Sequence, residues 1–252
     1  MKIQILKESE LPLLLQYATL ENWDIEEAHT FALLKTHPND FFIAYEEKKL
    51  IGFIVALKES ERFGFISSLL VLEEFRGLGF GGELFEFGLK HLRGCQIALD
   101  SVVGKEQFYK AYGFTSYFDV THYRFEVGSV TLPQNSFLIK SEIDKELISQ
   151  SNYLNILLQD KDVLFRNVVK ESKLSAYAFA FHYKDGYKIT IESEDINEAL
   201  TLFFSIAEEV KKGSYIYLQV TKLSPLREAL VAALKMSEDT KSIRMYNKIL
   251  EK

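Results

Sequence analysis

Met1-Lys2-Ile3-Gln4-Ile5 alternates apolar and polar residues, the period of a half-buried strand. Leu11 to Leu20 and Ile25 to Leu34 then read as two helices. Asp24 stands where an N-cap is wanted, with Glu26 and Glu27 in the favourable first turn of the second helix. His37-Pro38-Asn39-Asp40 ends that helix. Phe41 to Tyr45 and Leu50 to Leu57 are strand-like runs around the polar turn Glu46 to Lys49, which predicts an antiparallel hairpin. A third strand is predicted from Phe63 to about Leu72. The following helix, Gly81 to Leu92, carries Leu84, Phe85, Leu89 and Leu92 as a stripe fit to pack on a sheet. Gln96 to Leu99 reads as a short strand, Lys105 to Tyr112 as a short helix stopped by Gly113, and Thr121 to Val127 as a closing strand.

Gly128 to Asn135, with Gly128, Pro133 and small polar residues, is the candidate boundary. Beyond it come a helix from Leu147 to Leu158 and a hairpin, Leu174 to Tyr183 and Tyr187 to Glu192, turning at Lys184-Asp185-Gly186. A helix from Ile196 to Val210, a strand from Tyr215 to Val220, a helix from Pro225 to Met236 and a strand from Ser242 to Lys248 complete the chain. This order repeats that of Phe41 to Val127. The pattern predicts an α/β fold of the α+β type: a mixed, mostly antiparallel sheet flanked by helices, present twice. Residues 1–128 form the first domain and 136–252 a degenerate copy.

Composition narrows the function. The chain has 252 residues, 47% hydrophobic and 26% charged, which excludes a disordered or fibrous protein. Its net charge of −6 lies wholly in the first half: residues 1–130 hold 13 basic and 19 acidic side chains, residues 131–252 hold 17 of each. An acidic surface disfavours nucleic acid and favours cationic or amine ligands. Apolar stretches fall short of the roughly 20 residues of a membrane helix, and the N-terminus lacks signal-peptide design. A cytoplasmic location and no membrane partner are expected, as a monomer or homodimer. The single Cys95 offers no disulfide or zinc site and is expected in a buried strand. His29, His91, His122 and His182 have no metal-binding spacing.

The candidate chemistry is at Arg76-Gly77-Leu78-Gly79-Phe80-Gly81-Gly82. A glycine-rich turn opening a helix gathers backbone N–H donors and the positive helix end around a pyrophosphate. Glu83, directly after the glycines, rules out the Lys-Ser/Thr of nucleotide-hydrolase loops, and G-x-G-x-x-G is not matched. The segment resembles the GNAT acetyltransferase signature (Gln or Arg)-x-x-Gly-x-(Gly or Ala), and it follows an apolar strand ending Leu69-Leu70-Val71. Phe108-Tyr109-Lys110-Ala111-Tyr112-Gly113-Phe114 is similar to a second family landmark. Where many members carry Asn, this chain has Val102. Leu99-Asp100-Ser101-Val102-Val103-Gly104 looks instead like the variant of a subgroup with a second GNAT-like domain, which Ile243-Arg244-Met245-Tyr246 also resembles.

The resemblance implies acetyl-CoA as cosubstrate, no metal, and direct transfer to a primary amine, that of a small molecule, in a ternary complex. It implies that Leu69, Leu70 and Val71 pair with the pantetheine arm and that residues 76–82 hold the pyrophosphate. Val71 N–H would stabilise the oxyanion, and Tyr109 would protonate the departing thiolate. Base candidates are Glu26, Glu27, His37, Asp40, Ser67 and Asp100. The second half, lacking the glycine loop, would bind no coenzyme A and would wall the acceptor pocket. Alternating aromatics on Tyr177 to Tyr183 and on Tyr215 and Tyr217 read as a sheet face, or as a wall for an amine. Alternative functions are a non-catalytic acyl-CoA sensor and a protein N-acetyltransferase.

Overall fold

A computed structural model describes residues 1–21, 23, 25–129, 139–140, 150–170 and 173–247. Asp24, most of the Gly128 to Asn135 boundary and the start of the helix expected from Leu147 lie outside them. The chain divides into two compact units. One is Met1–Ile25, Leu33–Asp119 and Ser242–Lys252; the other is Glu26–Ala32 and Val120–Lys241.

The first unit begins with β1 (Lys2–Ile5) and α1 (Leu11–Leu20). α2 (Glu27–Thr36) starts in the second unit and ends in the first. β2 (Phe41–Glu46), β3 (Lys49–Leu57) and β4 (Phe63–Val71) follow, then α3 (Phe80–His91), β5 (Gln96–Val102) and α4 (Glu106–Lys110). β1 to β4 are antiparallel neighbours, whereas β4 and β5 are parallel, with α3 as the crossover. The predicted stripe of α3 is buried where expected: Leu84, Phe85 and Leu92 are inaccessible and pack with Ile54, Ile66, Leu99 and Phe114. Cys95 is buried one residue before β5 begins, rather than within it.

β6 (Thr115–Glu126) passes from the first unit into the second. There follow β7 (Ile139–Lys140), α5 (Asn152–Leu157), β8 (Leu164–Lys170), β9 (Lys173–Tyr183) and β10 (Gly186–Glu192). α6 (Ile196–Ala207), β11 (Tyr215–Thr221), α7 (Pro225–Leu234) and β12 (Ser237–Tyr246) complete the chain. The order β10, α6, β11, α7 reproduces β4, α3, β5, α4, with β10 and β11 parallel like β4 and β5. β9 pairs with β8 and β10, and its aromatics Phe179 and Phe181 pack with Leu154, Leu157 and Phe165. The sheet-face reading of that alternation accounts for these two residues.

The two halves of the sequence exchange their last strands. Residues 120–126 of β6 pair antiparallel with β11 in the second unit, while Ser242–Tyr246 pair with Val102–Ala98 of β5 in the first. The compact units therefore differ from a cut at 128 and 136. The sequence expectation placed each closing strand with its nearer neighbours, but the hydrogen-bond ladder joins each to the far half. β6 also starts six residues earlier than expected, β12 starts five earlier, and β8 was not expected at all.

Candidate active site

Parallel pairing of β4 with β5 runs from Phe63↔Gln96 to Ile66↔Leu99 and goes no further. At this point β4 carries a bulge: Ala56 faces Ile66 and Val55 faces Ser68, leaving Ser67 as the extra residue. A bulge bends its strand and raises the local twist, so the C-terminal half of β4 leaves β5. The resulting wedge is a cleft of about 590 Å³ lined by Ile66 to Val71 on one side and Leu99, Asp100 and Val102 on the other.

The ladder with β3 fixes which backbone groups face the cleft. Leu72 N–H donates to Ile51 C=O across the Gly52↔Val71 pair, making that pair the non-hydrogen-bonded kind. In an antiparallel ladder the kinds alternate. Leu70 therefore turns its N–H and C=O to β3, and a Cβ built on Gly52 would lie only 2.0 Å from the Leu70 carbonyl oxygen. Leu69 and Val71 turn theirs away from β3, toward the side where β5 has departed. Of the three residues expected to pair with a pantetheine arm, Leu70 is thus disposed differently: its peptide groups are spent within the sheet and its side chain is buried.

The loop after β4 makes a 3₁₀ turn, Glu73–Phe75, and then places Gly77 at φ +76° and Gly79 at φ +90°. These are left-handed conformations that side chains with a Cβ resist. Gly79 is the N-cap of α3, and the first bond into the helix runs from Glu83 N–H to Gly79 C=O. The amides of Phe80, Gly81 and Gly82 precede that bond, so the helix itself leaves them without acceptors. Gly81 lines the cleft and Gly82 lies against the Tyr112 hydroxyl, 2.8 Å from where a Cβ would stand. Leu78 is exposed, and Phe80 meets Phe75 edge to face at 6.1 Å. Arg76 donates from Nε to Val71 C=O at 2.9 Å, and its Nη2 pairs with Glu21.

Tyr109, on α4, lines the cleft and packs edge-on against Phe85 and Phe108, with centroids 5.3 and 5.1 Å away. Burial raises its phenol pKa above the usual 10.0. Among the described residues none makes a hydrogen bond to its hydroxyl.

The base candidates separate. Ser67 and Asp100 line the cleft. Asp100 is held by Arg244, directly opposite on β12, through Nε–Oδ1 and a 2.9 Å Nη2–Oδ2 bond. Asp40 is structural: it takes His91 Nε2 at 2.7 Å and Lys58 N–H at 2.8 Å. His37 Nδ1 bonds Thr36 Oγ1 at 2.9 Å. Glu26 belongs to the second unit, buried and paired with Lys188 at 2.8 Å; burial works to raise its pKa, but Lys188 and His29 carry the balance below normal. Glu27 opens α2. The sequence reading missed Glu21, Trp23, Ser68, Lys105 and Phe108 as cleft residues. Glu21 and Trp23 follow α1 with no motif to mark them, while Lys105 and Phe108 sat inside segments whose type was read but whose facing was not.

Among the described residues no group of His, Cys, Asp or Glu is placed to hold a metal ion, and no helix is long and apolar enough to cross a membrane.

The bulged β4 thus parts from β5 beside the glycine turn that opens α3. Residues 4–114 match the model of the acetyltransferase (GNAT) family. No curated protein matches the chain. Among solved structures it is similar to a candidate acetyltransferase from Pyrococcus horikoshii, at 13% identity and a TM-score of 0.76, over 100% of this chain and 89% of that one. A tandem GNAT protein from the clavulanic acid biosynthesis pathway aligns at 11% identity and TM-score 0.69 over 99% of both chains. A GCN5-related N-acetyltransferase from Sphaerobacter thermophilus aligns at 9% and 0.65, over 97% of this chain and 94% of that one. At such identities the likeness speaks for the fold, here a pair of GNAT-like domains.

Proposed function

We propose that the chain transfers the acetyl group of acetyl-CoA to the primary amine of a small molecule, by direct attack within a ternary complex. The observation that carries this reading is the wedge, where the Leu69 N–H and C=O and the Val71 N–H, turned away from β3, lie beside the first amides of α3 and face a cleft that Tyr109 also lines. The pantetheine arm extends the sheet along Leu69 and Val71, and the amides of Phe80, Gly81 and Gly82 hold the pyrophosphate. Val71 N–H meets the thioester oxygen as charge develops on it. The amine nitrogen bonds to the acetyl carbon, the carbon–sulfur bond breaks, and the thiolate takes a proton from Tyr109. The amine's own proton leaves to solvent, and the Tyr109 phenolate takes one back from solvent. The products are an amide and free coenzyme A. The acidic first half supports a cationic acceptor over an anionic one.

One observation favours a second reading, an acyl-CoA-binding module without turnover. Both cleft carboxylates, Glu21 and Asp100, are held by arginines and neither is a free base. The deciding experiment is thiol release from acetyl-CoA with a panel of small amines. Amine-dependent release that falls in Tyr109→Phe is expected; binding of acetyl-CoA with no release for any amine turns the assignment to the binding module.

A further inference from the structure

The arginine that opens the glycine loop lines the cleft with both ends of its guanidinium already engaged by the protein. Arg76 uses Nε on the Val71 carbonyl and Nη2 on Glu21, the residue that caps the C-terminal end of α1. Both partners suit a cation: the Val71 carbonyl oxygen carries partial negative charge and Glu21 a full one. The N-terminus of α3, positive and rich in free N–H groups, offers a guanidinium nothing. The charge of Arg76 is thus matched before any ligand arrives.

We infer, resting on the acetyl-CoA reading above, that Arg76 is a positioning residue for the pantetheine arm and not a ligand of the cofactor's phosphates. Four backbone groups of β4 face the wedge: the N–H and C=O of Leu69 and of Val71. Arg76 occupies the Val71 carbonyl, so the arm finds two donors, Leu69 and Val71 N–H, and one acceptor, Leu69 C=O. This fixes the arm's register, because an arm shifted by two residues would have to present an amide N–H to a carbonyl already taken. The same contact holds the end of β4 in its splayed course, and Glu21 holds Arg76. Glu21 and Trp23 in turn form part of the cleft wall, so the end of α1 is tied to the strand that would carry the thioester.

The test compares two probes in the full chain: acetyl-CoA, and S-acetylpantetheine, which has the same arm and thioester but no phosphate. Arg76 is 46% exposed, so Arg76→Gln is expected to fold, and Glu21→Gln provides an independent weakening of the same contact. Calorimetric or NMR titration should show Arg76→Gln losing about tenfold in affinity for both probes alike, the cost of one charge-assisted hydrogen bond. Arg76→Lys should not restore it, since a lysine keeps the charge but lacks the two-pronged reach. Glu21→Gln should lose less, again equally for both probes. A loss confined to acetyl-CoA, recovery by lysine, or no loss in Arg76→Gln each overturns the inference while leaving the acetyl-CoA site standing. Failure of the unaltered protein to bind either probe overturns both.

Discussion

Arg244 stands directly across the ladder from Asp100 and grips both of its carboxylate oxygens, although 144 residues separate them in the chain. The same guanidinium lies 5.0 Å from the centre of the Phe65 ring. This pair joins the closing strand to the middle of the first unit and matches Asp100 in charge and geometry.

Arg244→Ala is therefore expected to destabilise the first unit by about 1–3 kcal/mol, a value discounted because both side chains keep some contact with water. Urea unfolding followed by near-ultraviolet signals measures it. Asp100→Asn should cost less stability and leave the pH dependence of turnover unchanged; a shifted acid limb would restore Asp100 as a base.

Tyr109→Phe should lower amine-dependent turnover by about a hundredfold, in the range of lost acid catalysis, with acetyl-CoA affinity within twofold or so of the parent. Burial raises the Tyr109 pKa above 10.0, so the proton donor stays loaded throughout the neutral and mildly alkaline range. Any loss of rate assigned to Tyr109 ionisation should appear only above pH 10.0. A basic limb near neutrality that disappears in Tyr109→Phe contradicts this.

Gly79→Val and Gly81→Val together should abolish acetyl-CoA binding without unfolding the chain. Gly79 has open space around a built Cβ but a φ of +90°, and a Cβ on Gly81 would meet Val71 at an ordinary 3.6 Å. The cost falls on the loop conformation and on the room left for a ligand, amounting to about 1–3 kcal/mol of strain. Tight acetyl-CoA binding by a folded double variant would falsify the loop's assignment.

His122, in the second unit, is held neutral: burial, with Lys188 adding its charge, pushes its pKa from 6.5 to about 4. An unfolded chain takes up this proton below pH 6.5 while the folded one refuses it until about pH 4. Stability is therefore complete above the first value and declines as pH falls toward the second, by roughly 3 kcal/mol in all. His29, also depressed by burial, acts in the same direction. Unfolding free energies at several pH values should show a flatter acid slope in His122→Gln.

One acetyl-CoA should bind per chain. Where β10 and β11 part, after Ile189↔Leu218, Arg227 reaches the Gln219 carbonyl at 3.4 Å and Glu192 at 3.2 Å. The first amides of α6 are capped by Asp195, which accepts from Asn197 and Glu198 N–H at 2.8 and 3.0 Å. At the counterpart of the cofactor wedge the chain's own side chains thus take up the Gln219 carbonyl and the first amides of α6. A calorimetric stoichiometry of two would refute it.

Local signals carried the sequence reading a long way in the first unit. The glycines, the α3 stripe and the apolar run into Val71 are short-range patterns, and the structure places them as a strand, a turn and a helix around one cleft. β8 escaped because Arg166 and Asn167 interrupt its alternation, Asn167 being buried with no charge to mark it. The early part of β6 escaped because Thr115, Ser116 and Tyr117 are exposed and show no buried face to read. The exchange of closing strands was beyond reach: a polar strand start such as Ser237 to Lys241 has no local preference for one partner. The pairing of Arg76 with Glu21 was equally hidden, since nothing in either residue's neighbourhood announces the other.

The strand exchange has a consequence for the birth of the protein. As the ribosome delivers the chain, β1 to β5, α3 and the glycine loop emerge early, yet the edge of β5 stays bare until Ser242–Tyr246 has been made. An uncovered edge of this kind is a template for pairing with another chain. The unit that carries the cleft is thus the first to be translated and the last to be closed, and a nascent chain halted before residue 242 would expose an open sheet edge to its neighbours on the same messenger.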